Sequence, residues 1–204
     1  MMARRGSESL GRRGPRRERK PRILVYCEGT VTEPAYFAGL VRHMRTTLVD
    51  VVRCDVKGVG CDPLTVVRRA EQKWAEDRRR NRTEAYDQVW CVVDHDDHAT
   101  LDAAIAHARK ANIRLVVSTP CFDYRVLLHY VDHRKSSSAK DIVQQLNKHI
   151  PGYNKKLPNG FPFNQYPVAV QRAEGAAPSS NAVGPNPSTA AHLVVAAMIA
   201  TAAR

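Results

Sequence analysis

Residues 89–98 read VWCVVDHDDH, five apolar residues followed by three aspartates and two histidines. The apolar part, taken from Gln88 to Val93, has the length and the β-branched and aromatic content of one buried strand. Carboxylates crowded at its end repel one another and resist ionisation unless a cation neutralises them. A buried strand that runs into such a cluster makes sense where strand ends meet a ligand, at the carboxyl edge of a parallel sheet.

The flanking sequence supports that sheet. Upstream, ILVYC (Ile23–Cys27) is a second apolar run, and it ends at Glu28-Gly29. TVTEP (30–34) then reads as a helix start, with Thr32 able to cap and Pro34 tolerated in the first turn. That helix places Tyr36, Phe37, Leu40, Val41 and Met44 on one face. Leu48 to Val56 reads as another strand, and Asp62-Pro63 opens a helix running to about Arg80. Ala99–Ala111 is a further helix and Ile113–Ser118 a fourth strand. Short strands alternating with helices, without hairpin turns, predict an α/β fold: a Rossmann-like parallel sheet flanked by helices.

Beyond Pro120 the pattern changes. FDYRVLLHY reads as a helical turn and Asp141–His149 as a helix, while residues 151–187 hold seven of the twelve prolines and predict long irregular segments. NPSTAAHLVVAAMIATAA closes the chain as a helix with Ser188 as its N-cap. Residues 22–204 therefore read as a single domain, with a core at 22–120 and a C-terminal helical and loop extension at 121–204.

Charge is unevenly spread. Residues 1–22 carry nine Arg or Lys against two Glu, more than half of the net charge of +12. Residues 1–21, basic and almost without apolar side chains, read as a disordered tail suited to phosphate backbones or to solubility alone. No stretch reaches the roughly 18 to 20 apolar residues of a membrane span, so a cytoplasmic location is expected. The five cysteines form no C-x-x-C pair and read as reduced packing residues.

Spacing excludes some chemistries and ranks zinc well below magnesium. An EF-hand loop starting at the acidic cluster would need glycine and glutamate where Ala99 and Ile105 stand. His95 and His98 lack the i, i+4 spacing of a zinc helix, and no G-x-x-x-x-G-K-[ST] phosphate loop is present. Glu28, Asp94, Asp96 and Asp97 instead form an all-oxygen set at neighbouring strand ends, the donor chemistry of Mg²⁺ or Mn²⁺. Asp123 is a candidate for supporting the site. Lys140, Lys155 and Lys156 are candidates for nucleic-acid contacts, the latter two beside Tyr153 in YNKK.

ILVYCEGTVTEPAYF, VWCVVDHDDH, STPCFDYRVLLHY and the terminal NPSTAAHLV together resemble the RloB-like family of bacterial defence proteins, in order from about residue 22 onward. That family is similar to Toprim domains, whose signature is a Glu after the first strand and Asp-x-Asp after the third; Glu28 and Asp94-His95-Asp96 match it. The resemblance implies a Toprim-like fold, Mg²⁺-dependent phosphodiester chemistry and pairing with a separate ATPase in anti-phage immunity. Asp123 stands where the family more often has Glu.

The resulting expectation is a metal-dependent nuclease acting on DNA or RNA, with Glu28, Asp94 and Asp96 as catalytic metal ligands and Asp97 beside them. The alternative is a non-catalytic adaptor that binds nucleic acid or an ATPase. Removing residues 1–20 is predicted to leave the melting transition unchanged and to flatten the salt dependence of any nucleic-acid binding. Binding isotherms of full-length and truncated protein at several salt concentrations check this, and an unchanged salt slope rejects the tail as a phosphate contact.

Overall fold

Alternate residues of each apolar run face opposite sides of one sheet, and helices cover both sides. The structure, a computed structural model, describes residues 21–47, 53–80, 83, 85–95, 99–176 and 178–199. Residues 1–20, Asp96 and Asp97, all of which the sequence singles out, lie outside the described residues.

The first half alternates β1 (Arg22–Cys27), α1 (Thr32–Thr46), β2 (Arg53–Gly58), α2 (Pro63–Arg80), β3 (Gln88–Asp94), α3 (Leu101–Lys110) and β4 (Arg114–Thr119). Next come α4 (Asp123–Leu127), α5 (Ala139–Asn147), a 3₁₀ turn (Phe163–Gln165), α6 (Tyr166–Glu174), β5 (Ser188–Thr189) and α7 (Ala191–Met198). Among the described residues the sheet order is β2-β1-β3-β4-β5, with β1 to β4 parallel and β5 antiparallel to β4. This is the α/β architecture of a Rossmann-like fold, as the alternation of elements predicts. Among the described residues no helix is long and apolar enough to cross a membrane.

Period-two patterning divides the core. Leu24, Tyr26, Val89, Cys91, Val93, Leu115 and Val117 pack with α2 and α3 on one face. Ile23, Val25, Cys27, Trp90, Val92 and Val116 pack on the other, against α1 and the C-terminal helices. The expected stripe of α1, Tyr36, Phe37, Leu40, Val41 and Met44, is buried throughout. Asp62 caps α2 by accepting from the backbone N–H groups of Leu64 (3.1 Å) and Thr65 (3.2 Å).

Four local expectations are corrected. The second strand does not end at Val56: β2 is described over Arg53–Gly58, and 48–52 lie outside the described residues. Thr32 does not cap α1. Val31 holds that position without a side-chain bond, and the Thr32 hydroxyl donates to the Lys155 carbonyl at 2.7 Å. Ser188 does not cap α7 either; it is buried in β5, where residues 188 and 189 extend the sheet beside β4. The proline-rich segment also contains a helix, α6, with Pro167 in its first turn where the missing N–H costs nothing.

One buried polar chain pins the C-terminal extension to α1. His129 Nδ1 lies 3.0 Å from the Pro162 carbonyl, which only accepts, so Nδ1 carries the proton. His129 Nε2 must then accept from the Tyr36 hydroxyl at 2.9 Å, and Tyr36 in turn accepts from Arg125 Nε at 3.0 Å. Arg125 is fully buried and also donates to the Ala169 carbonyl of α6.

Burial, aided by the Arg125 charge, lowers the His129 pKa to about 3 from its ordinary 6.5. The unfolded chain therefore takes up this proton first. The stabilisation is complete above about pH 6.5 and is lost progressively as pH falls towards 3. Urea unfolding of wild type is predicted to weaken between about pH 7 and about pH 4, and His129→Gln, though less stable at neutrality, to lose less over that interval. Equal pH slopes for the two proteins would contradict the assignment.

Candidate active site

The order of strands makes a crevice. From β1 the chain crosses to β2 on one side and then returns to place β3 on the other, so connections leave β1 and β3 in opposite directions. Ligands in open α/β sheets bind outside the carboxyl ends at such a switch point. Glu28 follows the last residue of β1 and Asp94 ends β3, which places both at this crevice.

Backbone hydrogen bonds fix the two acids. Glu28 N–H donates to the Val92 carbonyl (2.9 Å), and Glu28 Oε2 accepts from the Asp94 N–H (3.0 Å). Asp94 Oδ1 accepts from the Phe122 N–H (2.8 Å), tying the end of β3 to the loop before α4. Charge-assisted bonds of this kind hold a carboxylate in one orientation.

The two acids line one pocket of about 240 Å³ together with Glu33, Phe122, Asp123 and Lys155. Asp123 opens α4 and is only 1% exposed. Its Oδ1 accepts from the Tyr153 hydroxyl at 2.7 Å, and its Oδ2 pairs with Lys155 Nζ at 2.5 Å. Burial works against the Lys155 charge, but the hydrogen bond and charge of Asp123 outweigh it, and the Lys155 pKa is raised.

The structure thus brings Glu28, Asp94, Asp123 and Lys155 to one place. Lys140, in the first turn of α5, and Lys156 are exposed and are not among the residues lining the pocket. Arg125 and His129 belong to the core chain described above. Cys121, beside the pocket, is no thiolate: burial, then the charges of Asp123 and Asp94, push it up to about 12.

Glu33 was not singled out by the sequence pattern, yet it lines the pocket and is 7% exposed. Its Oε1 accepts from the Gly29 N–H (3.1 Å). Burial raises its pKa, against the bonds from its own and the Gly29 backbone and the charge of Lys155. The signal available in the sequence was Glu28-Gly29 followed four residues later by a second Glu in the first helical turn. A Cβ on Gly29 would collide with the Glu33 carboxylate, so a larger residue there would push that side chain from its present place. Gly58 is more tightly constrained, since its Cβ would stand 2.5 Å from the Gly29 backbone carbonyl oxygen.

A family model described as RloB-like protein matches residues 23–198. The chain belongs to the RloB-like protein family. The RloB-like match runs from β1 to the end of α7, so the extension that supplies Asp123 and Lys155 lies within the family unit. RloB-like membership is compatible with a role in anti-phage defence. No curated protein and no solved structure matches the chain.

Gly29→Ala is predicted to destabilise this RloB-like protein by about 1 kcal/mol, because it displaces the Glu33 carboxylate and breaks the bond from the Gly29 N–H. At this size that is about 2–4 °C of melting temperature per kcal/mol. Glu33→Ala in the same chain should recover most of the loss. A double-mutant cycle by thermal melting checks the pairing; additive losses would show that the alanine clashes elsewhere.

Proposed function

We propose that the chain is a metal-dependent phosphodiesterase acting on nucleic acid, DNA or RNA, within an anti-phage system in which a separate ATPase is its partner. The observation that carries this reading is the meeting of Glu28 and Asp94 at the switch-point crevice, each oriented by a backbone N–H, in the pocket that Lys155 also lines.

The donor set suits Mg²⁺ or Mn²⁺. Among the described residues, no three His, Cys, Asp or Glu side chains group closely enough to hold a metal by themselves. Zinc sites need three or four such protein ligands, whereas Mg²⁺ is commonly held by one or two carboxylates and completed by water and substrate phosphate. Glu28 and Asp94 would hold it, with Asp96 and Asp97 as further carboxylates a few residues on. When bound, the ion would polarise the scissile phosphate and stabilise the leaving oxygen.

The protein's own groups supply the rest. The two backbone donors hold Glu28 and Asp94 in place before substrate arrives, so little reorganisation is needed at the moment of reaction. Glu28, at the crevice, is the candidate to accept a proton from the attacking water. A basic chain, +12 overall, favours the approach of a polyanion to this acidic pocket. The Toprim resemblance of Glu28 and Asp94-His95-Asp96 supports the same chemistry.

Glu28→Gln and Asp94→Asn keep an oxygen able to accept the same backbone hydrogen bonds while removing the charge. Each is predicted to fold with little change in melting temperature and to lose Mg²⁺-dependent cleavage by about 100-fold or more. The assay uses mixed DNA and RNA substrates, with and without the ATPase partner, in Mg²⁺, Mn²⁺ or EDTA. A wild type that gains no thermal stability from Mn²⁺, together with variants that cut as well as wild type, would leave only the adaptor role.

A further inference from the structure

Asp123 and Lys155 form an ion pair whose two halves live in different surroundings. The carboxylate is 1% exposed, whereas the lysine side chain is 55% exposed. A buried carboxylate needs a compensating cation, but an exposed lysine needs no buried acid. The pair therefore presents a partly exposed lysine at the edge of the pocket while its acid stays inside.

Both carboxylate oxygens of Asp123 are committed. The Tyr153 hydroxyl holds Oδ1 and the Lys155 ammonium holds Oδ2. Each oxygen already shares its charge with a donor, one of them a cation, so Asp123 offers a metal less than an acid with no ammonium beside it. Lys155, in contrast, has spare capacity: an ammonium carries three donors, and its side-chain bond to Asp123 uses one.

The backbone of Lys155 is also held. Its φ of 72° lies in the left-handed region, which non-glycine residues seldom adopt unless their surroundings enforce it. The enforcement is visible. The Thr32 hydroxyl of α1 binds the Lys155 carbonyl, while Asp123 of α4 binds its ammonium. One lysine is clamped between the two helices that flank the pocket, and it faces the pocket that Glu28 and Asp94 line.

We propose that Asp123 is a positioning residue, outside the metal set, that holds the Lys155 ammonium at the pocket as the binding point for a phosphate of a nucleic-acid strand. This rests on the phosphodiesterase reading of the same pocket. A fixed cation opposite two carboxylates gives the strand one anchor that does not depend on a metal, and it orients the phosphate towards Glu28 and Asp94. The Asp123 tether keeps this long side chain from sampling solvent, so its ordering is complete before the strand binds.

The test has two readouts. The first is fluorescence anisotropy of a labelled single strand of about a dozen nucleotides, in DNA and RNA forms, in EDTA so that nothing is cut. Lys155→Gln keeps a hydrogen-bonding head but loses the charge, and Asp123→Asn loses the tether. Each is expected to weaken binding about tenfold and to reduce the salt slope by about 0.7, the loss of one phosphate contact on a single strand. The double variant should bind no worse than Lys155→Gln alone, because the two residues act as one unit, and Lys155→Arg should recover part of the affinity. The second readout is Mn²⁺ titration of the metal-free protein. Asp123→Asn should bind Mn²⁺ as wild type does, whereas Glu28→Gln and Asp94→Asn should bind it more weakly.

Wild-type affinity in Lys155→Gln, additive losses in the double variant, or no oligonucleotide binding by wild type would overturn the proposal. So would a loss of Mn²⁺ affinity in Asp123→Asn equal to that in Glu28→Gln, which would make Asp123 a ligand. If Glu28→Gln and Asp94→Asn leave Mn²⁺ affinity untouched, the metal reading fails separately, and the anisotropy still decides the lysine. Should Asp123→Asn not fold, Asp123→Glu takes its place. It keeps the charge but shifts it by a methylene, so weakened strand binding with unchanged Mn²⁺ affinity supports the proposal and the reverse overturns it.

Discussion

The hydrogen bond from the Asp94 N–H to Glu28 Oε2, 3.0 Å long, joins the ends of β1 and β3 where the sheet changes direction. Past this point the ladder between the two strands cannot continue, because their chains depart on opposite sides. A backbone donor is left that needs a partner. Glu28 supplies it, and in doing so brings a carboxylate to the rim beside the Asp94 side chain. The requirement to satisfy a strand-end N–H and the gathering of negative charge have the same solution. That is why the apolar strand at 88–93 runs into acids.

The same economy extends to the other wall of the pocket. Asp94 Oδ1 receives the Phe122 N–H and so sets the start of α4, and α4 sets Asp123. The C-terminal extension then has to be docked on the sheet, and the chain from Arg125 through Tyr36 and His129 to the Pro162 carbonyl does this with a single possible proton arrangement. The rings of Phe37, Phe122 and Phe161 pack against Tyr36, and Phe161 also against His129. Hydrophobic burial supplies most of the attraction, while the polar chain selects one seating among several that would bury comparable area. Lys155 inherits its place from that seating.

Charge is graded around the pocket. Glu28 and Asp94 are partly exposed at its rim, Glu33 is buried with its pKa raised by that burial, and Asp123 is buried but paired with a cation. Four carboxylates in one small volume would repel strongly if all were alike. Pairing one and desolvating another lowers that repulsion at the rim, where Glu28 and Asp94 stand.

Periodicity alone determined the architecture of this protein: apolar runs of five or six residues separated by amphipathic helices, and a stripe at Tyr36, Phe37, Leu40, Val41 and Met44, can be buried in few ways other than a parallel sheet covered on both faces. The acids at strand ends, Glu28 and Asp94, were legible for the same reason, since strand polarity assigns them to one edge. Capping was less legible, because Thr32 and Ser188 have side chains that suit a helix start equally well when spent on Lys155 or on a fifth strand. Glu33, and the pairing of Asp123 with Lys155 across 32 residues, were decided only by the tertiary structure. A helix start permits Glu in its first turn whether or not a glycine upstream makes room for its burial. Likewise a lysine in a proline-rich loop has no partner until the loop is seated. Local sequence fixes which groups a segment can offer, and long-range packing selects the groups that those offers meet.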